Sequence, residues 1–113
     1  MGDYGNVTVR NNILRQTKDL VLHHLTGKPA KAYLFGSWAR SEEKKTSDID
    51  IAIEFETDDE SNHVTLATLR NAAHESTIPY KMDIVYLNKA DEYIIDKVRK
   101  EGVLWEDQRN ESS

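Results

Sequence analysis

The sequence contains no cysteine, so disulfide bridges and zinc–thiolate sites are excluded and a reducing cytoplasm is the expected location. It also lacks any apolar run near the roughly 18 residues that a membrane span needs. No apolar stretch sits between a basic start and a small-residue cleavage site, so export by that route is not expected either. Positive charge is scarce: 15 Lys and Arg against 20 Asp and Glu leave a formal net charge of −5. The only basic cluster is Lys44-Lys45, which argues against a primary DNA or RNA groove. Histidine ligand spacing is missing as well. His23 and His24 are adjacent and point different ways on a helix, and His63 and His74 stand far apart. There are no repeats, linkers or low-complexity stretches. At 113 residues, one domain over 1–113 is expected, with a single core and no room for added specificity domains.

What the chain does have is concentrated in one stretch. Gly36-Ser37 is followed by ten residues, Trp38 to Ser47, and then by Asp48-Ile49-Asp50. On an extended strand alternate side chains share a face, so Asp48 and Asp50 lie on one side and Ile49, Ile51, Ile53 and Phe55 on the other. Two carboxylates about 7 Å apart along a strand repel unless a divalent cation bridges them. Oxygen-only ligands suit Mg²⁺ or Mn²⁺, which also take phosphate oxygens. Gly36 lets the backbone approach a phosphate, and Ser37 offers an N–H and a hydroxyl to bind it. These residues read as a triphosphate-plus-metal site.

Around that stretch helix and strand patterns alternate. Ile13, Leu14, Thr17, Leu20, Val21, His24 and Leu25 recur at helical spacing, and Gly27 with Pro29 closes the segment. Lys31 to Phe35 reads as a strand running into Gly36-Ser37, and Trp38 to Glu43 as a helical turn whose N-terminus faces phosphates. A second strand is expected over Ser47 to Phe55. Asp58-Asp59-Glu60 reads as a solvated break, its acids near a helix start. A helix follows from Ser61 to about Glu75 with Leu66, Leu69 and Ala73 inward, and Pro79 excludes helix just before it. Lys81 to Leu87 is a third strand, with Asp83 and Val85 on one face and Met82, Ile84 and Tyr86 on the other. Asn88 is the expected cap of a last helix carrying Ile94, Ile95 and Val98. Gly102 ends that helix, Val103-Leu104-Trp105 packs back on the body, and a polar tail over 107–113 frays. The alternation gives an α/β or α+β sandwich.

Gly36-Ser37-Trp38-Ala39-Arg40 followed by Ser47-Asp48-Ile49-Asp50-Ile51 resembles the signature of the nucleotidyltransferase superfamily that includes DNA polymerase beta and kanamycin nucleotidyltransferase. The short chain and its ending, Ile94-Ile95 through Glu101-Gly102-Val103-Leu104-Trp105-Glu106, resemble minimal nucleotidyltransferases. The match runs from about Lys31 to Glu106. One position departs: the family usually has Gly after Ala-Arg, where this chain has Ser41. The resemblance implies an α+β nucleotidyltransferase fold, a mixed sheet packed against helices in αβαβαβα order. It also implies a third carboxylate from a neighbouring strand, and Lys81-Met82-Asp83-Ile84-Val85 supplies Asp83.

By the same resemblance, Asp48, Asp50 and Asp83 are the catalytic and metal-binding residues of a two-metal nucleotidyl transfer, with Mg²⁺ or Mn²⁺ and ATP as substrate. Asp83 also becomes the candidate general base. Gly36, Ser37 and Arg40 are the nucleotide-binding candidates. Arg40 either contacts phosphate or pairs with a carboxylate to hold the loop. Lys44 and Lys45 either attract the triphosphate or form a solvated loop. Trp38 has three readings: stacking on a base, packing under the loop, or meeting a partner. Tyr4 is a self-modification site only by chance. Minimal nucleotidyltransferases of this kind are commonly paired with helical HEPN-type ribonuclease toxins, which they silence by moving AMP from ATP to a toxin tyrosine. The implied role is therefore an antitoxin adenylyltransferase in a hetero-oligomer, with no direct nucleic-acid or membrane partner. Two alternatives stand beside it: the catalytic subunit of a small-molecule nucleotidyltransferase, and a non-catalytic antitoxin that masks the toxin.

Overall fold

The computed structural model describes residues 2–106, with side chains from residue 8 onward. The Tyr4 side chain and the tail 107–113 lie outside the described residues. Helix α1 (Gly2–Leu25) buries Ile13, Thr17, Val21 and Leu25, one residue per turn, and the Thr17 hydroxyl donates to the Ile13 carbonyl at 2.7 Å. Strands β1 (Ala30–Phe35) and β2 (Ile49–Phe55) are antiparallel, in a register that sets Phe35 opposite Asp50. Helix α2 (Ser61–Glu75) crosses over to β3 (Met82–Tyr86), which runs parallel to β2. After helix α3 (Glu92–Glu101), a short strand β4 (Val103–Trp105) pairs antiparallel with β1. The sheet order is β3-β2-β1-β4.

Strand alternation explains the layers. Ala32, Leu34, Ile49, Ile51, Ile53, Phe55, Ile84 and Tyr86 point to one face, where α1 and α2 cover them. Phe35, Ala52 and Leu87 lie on the other, packed with Val98 of α3 and flanked by Ile94 and Ile95. Leu66 and Leu69 are buried in the first core as expected, with Ala73 packed against it. The mixed α+β class is as expected from the sequence. The element order differs in two details: the segment after Gly36 makes one turn rather than a helix, and Val103–Trp105 is a strand.

The expected cap of the last helix is corrected. Asn88 does not cap α3; Asp91 does, its Oδ1 accepting the Ile94 N–H at 2.9 Å. Asn88 lies in a single 3₁₀ turn (Leu87–Lys89) and closes the end of β2. Its Oδ1 accepts from the Phe55 N–H at 2.8 Å, and its Nδ2 donates to the Phe55 carbonyl at 2.9 Å. A side-chain amide carries both a donor and an acceptor, so it mimics the ladder partner that Phe55 lacks beyond β3. The second strand also begins two residues later than expected, at Ile49. Ser47 is committed to a turn, its Oγ accepting from the Lys44 N–H at 2.8 Å. Among the described residues no helix is long and apolar enough to cross a membrane.

Candidate active site

The candidate site lies on the α3 face of the sheet, where β1 ends and β2 and β3 begin. Parallel pairing sets Asp50 directly opposite Asp83. Asp48 precedes β2 by one residue and is exposed, as is Asp83, whereas Asp50 is half-buried. Burial first, and then the charges of Asp83 and Asp48, push the Asp50 carboxyl above the ordinary aspartate range, while Lys97 and Arg40 pull it the other way. Asp50 therefore senses the charges of both other acids. Among the described residues, however, no three His, Cys, Asp or Glu side chains close into a ligand shell as they stand. The donor set is all oxygen and its charges are mutually unfavourable, which fits a hard divalent cation.

Gly36 is fixed by this arrangement. A Cβ built on it would collide with Oδ2 of Asp50, and its φ of +77° lies where L side chains are strained. The chain then makes a single turn that ends like a helix. Glu42 N–H donates to the Ser37 carbonyl at 2.9 Å and Ser41 N–H to the Trp38 carbonyl at 3.4 Å, with Ser41 at φ +58°. That is the Schellman pattern, and Ser41 occupies the left-handed position usually given to glycine. The departure from the family pattern at Ser41 therefore leaves a turn that glycine would also make. The N–H groups of Ser37 and Trp38 bond to nothing among the described residues. They are the loop donors left for a ligand.

Trp38 packs under the loop. It is buried, meets Tyr80 edge-on at 5.0 Å, and has the Arg10 guanidinium 5.9 Å above its ring. Arg10 also donates to the Trp38 carbonyl at 2.6 Å and pairs with Glu43 at 2.7 Å, tying α1 to the loop. Arg40 pairs with Glu42 at 2.8 Å and Glu101 at 2.9 Å. Lys44 and Lys45 are exposed. Three neighbours escaped the sequence reading: Arg10, Lys97 and Glu101. Arg10 carried no signal. The other two stand four apart on the last helix; that spacing was the only trace of Lys97, whereas Glu101 also lay within the ending that resembles minimal nucleotidyltransferases.

A mixed sheet with a Gly-Ser turn at one strand end and aspartates on parallel neighbours is the framework of a nucleotidyltransferase. A family model described as Polymerase beta, Nucleotidyltransferase matches residues 11–110, and the chain belongs to that family. It is 31% identical over 93 residues to a Methanocaldococcus jannaschii protein provisionally named a protein adenylyltransferase, covering 82% of this chain and 94% of the relative. Among solved structures it resembles a chain of a toxin–antitoxin crystal structure with AMP-PNP (TM-score 0.61, 24% identity, 84% of this chain and 77% of that one). It also resembles a chain of an MntA–HepT toxin–antitoxin mutant (TM-score 0.54, 26% identity, 90% and 75%).

Proposed function

We propose that this nucleotidyltransferase is the antitoxin of a toxin–antitoxin pair, acting as a single domain over 1–113 that transfers AMP from ATP to a tyrosine hydroxyl of a helical HEPN-type toxin. The observation that carries the reading is the register pairing of Asp50 with Asp83 beside a glycine whose missing Cβ makes room for the Asp50 carboxylate. Asp48, Asp50 and Asp83 would hold Mg²⁺. When bound, the ion supplies charge neutralisation of the triphosphate and a lowered pKa for the attacking hydroxyl. Ser37, through its N–H and hydroxyl, and the Trp38 N–H bind phosphate oxygens and stabilise the charge of departing pyrophosphate. Asp83, exposed at the start of β3, accepts the proton of the tyrosine hydroxyl as its oxygen bonds to the α-phosphorus and the bond to the β-phosphate oxygen breaks. The relatives named for adenylyl transfer and for toxin–antitoxin assembly support the acceptor class. The net charge of −5 supports a basic, RNA-binding partner.

Chemistry and masking make opposite predictions. With ATP and Mg²⁺, a substoichiometric amount of this protein should silence an excess of toxin, and intact mass analysis should find AMP on the toxin after separation. A protein with both Asp48→Asn and Asp50→Asn should lose this activity. An end point at one-to-one that ignores ATP would refute the catalytic reading.

A further inference from the structure

Gly36 has a buried N–H. Buried amides need an acceptor, and here β1 has run out of ladder. The acceptor is Oε2 of Glu101, at 2.8 Å, supplied from 65 residues downstream. The placement follows from pairing. In the β1–β4 register Leu34 stands opposite Val103, and extending that register two places sets Glu101 opposite Gly36. The main chain there has already become the last turn of α3, so a side chain takes the place of the strand carbonyl. The same oxygen accepts from Nη1 of Arg40 at 2.9 Å.

Glu101 itself is held firmly. A Cβ on Gly102 would collide with the Val98 carbonyl, so only glycine lets the chain leave α3 this tightly and enter β4. The Gly102 N–H closes the helix on that carbonyl at 2.8 Å.

We propose that Glu101 is a positioning residue for nucleotide binding. Its carboxylate fixes Gly36 and Arg40, and thereby holds in place the turn that carries the unbonded N–H groups of Ser37 and Trp38. The inference rests on the reading of this loop as the triphosphate site. Glu101 does not compete with the triphosphate for the unbonded N–H groups of Ser37 and Trp38, because the N–H that it occupies is that of Gly36.

The test is titration of the full chain with AMP-PNP in Mg²⁺, alongside Mn²⁺ binding without nucleotide. Loss of a charge-assisted bond predicts that Glu101→Ala weakens AMP-PNP binding about tenfold. Glu101→Gln keeps an acceptor for Gly36 but not the charge opposite Arg40, and should weaken it about threefold. Mn²⁺ affinity should stay unchanged in both, since Asp48, Asp50 and Asp83 are intact; a general loosening of the fold would lower it in parallel. Should Glu101→Ala not fold, Glu101→Gln decides. Wild-type or tighter nucleotide binding by the folded variants, or a matching loss of Mn²⁺ affinity, overturns the proposal. Failure of the unaltered protein to bind AMP-PNP overturns the loop reading and this inference together.

Discussion

At Ser41 a side chain sits where glycine is the usual choice. Its φ of +58° puts Cβ close to the following carbonyl, a conformation that costs an L residue about 1–2 kcal/mol. Ser41→Gly should therefore raise stability by about 1 kcal/mol, less the entropy that glycine adds to the unfolded chain. Denaturant melts of the two proteins check this, and an unchanged or lower midpoint would show that Ser41 holds the turn in some other way. Asp50 carries a different strain. Its carboxyl is held above the ordinary range by burial and by Asp83, so the folded state binds that proton more tightly than the unfolded chain does. The stability this gives is complete below the unfolded pKa and is lost as pH rises through the folded one. Asp50→Asn removes the loss. It should melt higher than wild type at about pH 7, and the gap should narrow towards about pH 3, where wild-type Asp50 is protonated in both states. A gap equal at both pH values would contradict this account of Asp50.

Elements are held together at their ends by side chains standing in for backbone. Asn88 does this for β2, and Asn88→Ala would leave both polar groups of Phe55 without partners. The expected cost is about 2 kcal/mol, with faster hydrogen exchange at the Phe55 amide. Nucleotide transfer by the folded fraction should be unaffected, because Asn88 lies at the far end of β2 from Asp50; unaltered exchange would count against the bridge. This residue also shows what the sequence could not reveal. Helices and strands were legible because Ile13, Thr17, Val21 and Leu25 repeat at helical spacing and Ile49, Ile51 and Ile53 alternate. Asn88 was misread because caps and turns share the same residue types, and Asp91, three residows further on, is an equally good cap. Only the three-dimensional end of β2 distinguishes them.

Across the whole molecule, the carboxylates were legible and their surroundings were not. The spacing of Gly36-Ser37 from Asp48-Ile49-Asp50 is local, and the resemblance supplied Asp83 on the neighbouring strand. By contrast, the contacts of Arg10 with Trp38 and of Glu101 with Gly36 join segments far apart in sequence, and no pattern within a single window encodes them. That separation has a consequence in time. A ribosome delivers the chain from its N-terminus, and the loop emerges well before the acceptor of its buried amide. Until α3 and β4 have left the exit tunnel, β1 lacks a neighbour on one side and the loop has an unsatisfied donor. Under the reading proposed above, the nascent chain would carry its nucleotide loop unset until Glu101 has emerged, and become competent only once α3 and β4 have folded onto β1.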